Sequence, residues 1–73
     1  MREAGTIRER IYQALVTRYT ADQEAALVKI DALLKGEILP GHEDVIGSID
    51  KQLAKIGSAA EKMATLRRYY GMN

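Results

Sequence analysis

Seventy-three residues with a net charge of +1 and no cysteine hold one domain at most, exclude disulfide staples and give bulk charge no reason to seek nucleic acid or a membrane. No apolar run approaches the ~20 residues that span a bilayer. Met1-Arg2-Glu3-Ala4-Gly5 leads into charged residues without the apolar stretch of a signal peptide, so the expectation is a soluble, cytoplasmic protein, 1–73 being a single domain.

A chain this small buries little of its own surface, and its usual supports are disulfides, metals or oligomerisation. With cysteine absent and metal ligands scarce, partner surface is the support that remains.

Residues 1–5 are expected to fray. Thr6-Ile7-Arg8-Glu9 is a capping-box pattern in which Thr6 can accept the Glu9 N–H and Glu9 can accept the Thr6 N–H. The first helix is predicted over about residues 6–35. Gly36 suits the left-handed residue after its end, and Lys35 suits its negative pole. Thr20-Ala21-Asp22-Gln23 repeats the capping pattern without a Gly or Pro, so one continuous helix is expected through it.

At 100° per residue this helix carries two apolar arcs. Tyr12, Leu15, Val16, Tyr19, Ala26, Leu27, Ile30, Leu33 and Leu34 form the broad one. Ile7, Ile11, Ala14, Ala21, Ala25, Val28 and Ala32 form the second, whose members are mostly small. A helix apolar on two sides needs neighbours on two sides. The broad arc is predicted to face the second helix. The second arc is predicted to be the self-association surface of a homodimer, a four-helix bundle with the first helices central.

Gly36-Glu37-Ile38-Leu39-Pro40-Gly41 interrupts the pattern, and a turn over 36–42 joins two helices of nearly equal length. Such a connection predicts an antiparallel hairpin. The stretch Leu34–Pro40 faintly resembles the turn of the small subunit of bacterial exodeoxyribonuclease VII, another short helical hairpin. The match needs an inserted Ile38 or Leu39 and does not extend into the second helix, so no property is carried over.

The second helix is predicted over about residues 43–70, with Glu43 and Asp44 in its first turn, where the dipole prefers acids. Gly47 and Gly57 cost about 1 kcal/mol each relative to Ala. The apolar phase is unchanged through Gly57, so the helix is expected to continue past the capping pattern Ser58-Ala59-Ala60-Glu61. Ile46, Ile49, Leu53, Ile56, Ala60, Met63 and Tyr70 form one stripe, expected to be its buried face.

Antiparallel pairing gathers all six arginines (Arg2, Arg8, Arg10, Arg18, Arg67 and Arg68) and all four tyrosines at the open end. Residues 1–19 and 60–73 each carry +2, and residues 20–59 carry −3. Arg and Tyr are enriched at interface hot spots and also suit base stacking beside phosphates. Tyr12 and Tyr19 belong to the broad arc, and Arg8 can stack on Tyr12. Arg8, Arg10, Arg18, Arg67, Arg68 and Tyr69 are therefore the candidate contacts for a protein partner, with nucleic acid as the alternative.

His42-Glu43-Asp44 places three ligand types in a row, but consecutive residues at a helix start point in different directions. No carboxylate pair, nucleophile–base set or phosphate loop is present. No catalytic residue, metal or cofactor is predicted. Acids mixed among the bases argue against a membrane-surface helix. The expectation is an all-α, non-enzymatic interaction protein that pairs with itself and docks a partner, or serves as an accessory subunit of a larger enzyme.

Overall fold

The computed structural model describes residues 6–71. The expectations for residues 1–5, Arg2 included, lie outside the described residues. Helix α1 spans Ile7–Lys35 and helix α2 spans Val45–Tyr70. They lie antiparallel as a hairpin with no strand among the described residues.

Local chemistry sets the helix ends. Thr6 Oγ1 accepts the Glu9 N–H at 3.2 Å, and Glu9 Oε1 accepts the Thr6 N–H at 2.9 Å. Both partners of the capping box are thus engaged. At the other end Gly36 takes φ +74°. Its N–H donates to the Leu33 carbonyl at 3.2 Å while the Glu37 N–H donates to Ala32 at 2.9 Å, the paired bonds of a Schellman stop.

A Cβ at Gly36 would meet nothing within 4 Å, so any penalty there comes from backbone conformation alone. Gly36→Ala is expected to lower stability by about 1–2 kcal/mol, the left-handed penalty for an L-residue. Urea unfolding checks this, with helix content unchanged.

The second helix starts later than its charge pattern suggests. Asp44 is the N-cap, its Oδ1 accepting the Gly47 N–H at 2.7 Å. Glu43 precedes the helix, and the first turn holds no acid. A short carboxylate does more as a cap, satisfying a free N–H, than one position further on as a charge near the dipole.

Both helices run unbroken through Thr20 and Gly57. A Cβ at exposed Gly57 would meet nothing within 4 Å. Gly57→Ala should therefore raise stability by roughly 0.5–1 kcal/mol through backbone entropy, read as a higher denaturation midpoint at unchanged slope.

The seam between the helices is a heptad seam. On α1 the residues turned inward are Tyr12, Val16, Tyr19, Gln23, Ala26, Ile30 and Leu33, in alternating steps of four and three. On α2 they are Ile49, Gln52, Ile56, Ala59, Met63 and Leu66, with Ser48 beside them. A 3.5-residue period keeps both rows facing along the whole contact. Cross-helix contacts fix the register: Gln23 Nε2 donates to the Ile56 carbonyl at 3.4 Å, and Thr20 Oγ1 lies 4.0 Å from Met63 Sδ.

This seam corrects the expected buried face of α2. Ile46 is 79% exposed and Leu53 53%, and Ala60 is exposed as well. Gln52, Ala59 and Ser48 are buried in their place. On α1 the broad arc is only partly covered, because Leu27 and Leu34 remain 50% and 68% exposed. An apolar stripe wider than one helix contact cannot be hidden by one neighbour. The helices meet along one edge of each stripe and leave the other edge uncovered.

The resulting shape is long and thin, 51 × 24 × 17 Å, with a radius of gyration of 16.2 Å against about 11 Å for a compact chain of this length.

Candidate interaction surfaces

Two flanks run along the seam, and they differ in chemistry. On one, Lys29, Lys55 and Lys62 together with Asp22 edge a groove of about 440 Å³ floored by Ala26, Gln52 and Ala59. These residues stand beside Ala26 on α1 and beside Gln52 and Ala59 on α2, which places them on the same side of the hairpin.

The other flank is apolar. Thr20, Leu27 and Leu34 recur every seven residues along one edge of α1, and Thr20 reaches Met63 across the seam. Met63 shares its row on α2 with Ile56 and Ile49, and Ile46, Leu53 and Ala60 run alongside that row. Leu27, Leu34, Ile46 and Leu53 therefore lie on one flank, with half-buried Ile30, Ile49 and Ile56 behind them. Reading each helix alone missed this surface. The available signal was the row that runs back from Leu66 in sevens, through Ala59 and Gln52 to Val45, which rotates the α2 seam away from Ile46 and Leu53.

The arc expected to mediate self-association lies on the outer side of α1. Ile7, Ile11, Ala14, Ala21, Ala25 and Val28 are exposed and Ala32 is half-buried. The structure distributes these residues among different surroundings. Ile7 and Ile11 join Arg8, Tyr12, Leu15, Leu66 and Tyr70 around an apolar groove of about 410 Å³ at the open end. Ala25 sits at the edge of the lysine groove.

At the open end the expected contact residues also divide. Arg8 lies over the Tyr70 ring, 5.8 Å from its centroid, so it stacks across the hairpin rather than along α1 on Tyr12. Arg68 lies 5.9 Å from the centroid of Tyr69. Lys62 covers Tyr19 at 5.7 Å. Arg10, Arg18 and Arg67 are exposed. The ion pairs among the described residues, Lys35–Asp31 at 3.0 Å and Lys51–Glu43 at 2.7 Å, are both at the loop end. Among the described residues, no ion pair engages the arginines of the open end.

Of the His42-Glu43-Asp44 run, Asp44 caps α2 and Glu43 pairs with Lys51. Among the described residues no three His, Asp or Glu side chains converge, and no helix is long and apolar enough to cross a membrane.

The Lys51 ammonium, followed by the residue's own backbone N–H, holds the Glu43 carboxyl below its ordinary value. A lowered folded-state value adds stability above the unfolded value and loses it as pH falls through the folded one. Wild type should therefore lose more stability than Glu43→Gln below about pH 4.3. Acid titration of the denaturation midpoint checks the difference, which is small because solvent screens the pair.

Compared with protein-family models, with curated proteins and with solved structures, the chain finds no match.

Proposed function

We propose that this hairpin is a non-enzymatic interaction and assembly protein: it completes its core by pairing with itself and docks a protein partner with its arginine- and tyrosine-rich open end. The observation that carries this reading is the distribution of apolar side chains. Among the described residues only Ala26, Leu33 and Ala59 are buried apolar residues, while twelve large apolar side chains are exposed. Apolar surface arranged in long rows rather than scattered singly marks an interaction site. The open-end groove adds the residue types that dominate interface energetics, with Arg8 held over Tyr70 at its rim.

If folding is coupled to association, thermal stability depends on protein concentration by mass action. The melting temperature should rise steadily across a hundred-fold concentration series. A high melting temperature that is the same at every concentration would contradict self-association.

A second reading, a nucleic-acid-binding regulator, draws on exposed Arg10, Arg18 and Arg67 beside Tyr69. Phosphate contacts release counterions, so binding to a single-stranded oligonucleotide would fall about three-hundred-fold between roughly 50 and 200 mM salt if about six phosphates were neutralised. Docking of a protein on the apolar groove would change little over the same range.

A further inference from the structure

Resting on the self-association reading, we infer that the second copy seats on the apolar flank that carries Leu27, Leu34, Ile46 and Leu53, closing a four-helix bundle in which each helix touches two neighbours. The two alternative surfaces are the outer arc of α1 and the lysine flank.

Surface area sets the scale. The hairpin exposes 5786 Å², roughly 1,300 Å² more than the ~4,500 Å² of a compact monomer of this mass. A stable dimer of standard size hides about 800 Å² on each copy. The uncovered surface is therefore enough for one such contact.

Charge then selects the face. The row from Thr20 through Leu27 to Leu34 and the row from Ile46 through Leu53 to Ala60 hold no charged residue themselves, and the acids Glu24, Asp31 and Asp50 border them at three- and four-residue spacing. A two-fold contact places the same patch on both copies, so the apolar rows of this flank complement themselves, with Asp31 paired to Lys35 beside them. The lysine flank does not, because Lys29, Lys55 and Lys62 would meet their own copies with Asp22 as the one acid lining that groove. The outer arc of α1 is broken by Arg18 and belongs to a single helix. A dimer through that arc would leave Leu27, Leu34, Ile46 and Leu53 exposed.

Helix geometry agrees. Helices of a bundle carry an apolar face wider than the narrow seam of a two-stranded coil. Each helix here presents one edge of its stripe to the other helix and the remaining edge to the same flank. Ile30, Ile49 and Ile56, half-buried in the hairpin, would complete their burial under a second copy.

The test compares Leu53→Glu, Leu53→Ala, Ala25→Glu and Lys55→Glu in the full chain by light scattering and circular dichroism. Wild type is expected at twice 8.1 kDa and Leu53→Glu at the monomer mass. Leu53→Ala should raise the dimer dissociation constant by at least about ten-fold, since each copy loses an isopropyl group that the contact buries. Ala25→Glu and Lys55→Glu should stay within about two-fold of wild type, as exposed sites outside a contact do. Loss of helix content in Leu53→Glu while Ala25→Glu stays folded has the same meaning, because a self-sufficient hairpin accepts glutamate at a half-exposed position. Dissociation by Ala25→Glu with Leu53→Ala at the wild-type constant overturns the assignment and leaves self-association standing, with the outer arc as its surface. A monomeric wild type overturns both.

Discussion

Leu33→Ala is expected to cost about 2–5 kcal/mol, the range for a buried leucine cut back to alanine. Among the described residues Leu33 is the one large apolar side chain that is buried, at 4% exposure beside Ala26 and Ala59. It closes the loop end of the seam, one turn before the Gly36 stop. Removing its side chain leaves a void that rigid helix backbones cannot collapse to fill. Domains are typically stable by about 5–15 kcal/mol in total, and a hairpin with so small a core has less to lose. The variant should therefore be largely unfolded at 37 °C by circular dichroism. A melting temperature within a few degrees of wild type would show that the seam at Leu33 is not where this chain keeps its stability.

Gln52→Leu should act in the opposite direction. Gln52 is 5% exposed in the α2 row that faces α1. Burying an amide carries a desolvation cost of about 1–3 kcal/mol unless its hydrogen bonds are fully replaced. Leucine has similar volume and no amide to dehydrate, and the amide lines an open groove, so the substitution should stabilise by roughly 0.5–2 kcal/mol. For a chain of this size each kcal/mol corresponds to about 4–8 °C in melting temperature. The accompanying prediction concerns specificity. A polar residue in a heptad seam can fix register and partner number, so the leucine variant should populate more than one oligomeric species. Destabilisation by Gln52→Leu would mean that the amide is well bonded where it stands, and that polar contacts such as Gln23 to the Ile56 carbonyl hold the seam together.

Much of the fold was legible in local chemistry. Thr6 and Glu9 announce the start of α1, Gly36 announces its end, and Pro40 with Gly41 requires a connection before α2. These signals act over three or four residues, within reach of a side chain and the backbone it satisfies, so they can be read without tertiary context. The continuity of α1 at Thr20 follows from the same reasoning, because a capping pattern without a breaker does not end a helix. The exact start of α2 is not legible in the sequence, because Asp44 suits both a cap and a first-turn charge, and only the geometry of the Gly47 N–H distinguishes them.

The seam was less legible. On α2 the residues Ile46, Ile49, Leu53 and Ile56 are the most apolar, and transfer free energy alone would place them inside. Which edge of that stripe meets α1 depends on how two stripes of unequal width pair. The paired arrangement buries Gln52, Ser48 and Ala59, which no hydropathy scale ranks highly. A polar residue in a helix contact is therefore an indication that the larger apolar residues beside it face something else. At the open end, composition located the arginines and tyrosines. Only the crossing of the two helices shows that Arg8 pairs with Tyr70 and that Ile7 and Ile11 line a groove with them.

The most direct measurement is the solution mass by multi-angle light scattering over a wide range of protein concentration. A hairpin whose larger apolar side chains lie mostly outside its own seam should run at twice 8.1 kDa or more and dissociate only on dilution, with loss of stability. A well-folded monomer of 8.1 kDa at every concentration would contradict the account, and would mean that the surface carrying Leu27, Leu34, Ile46 and Leu53 is kept for a different protein.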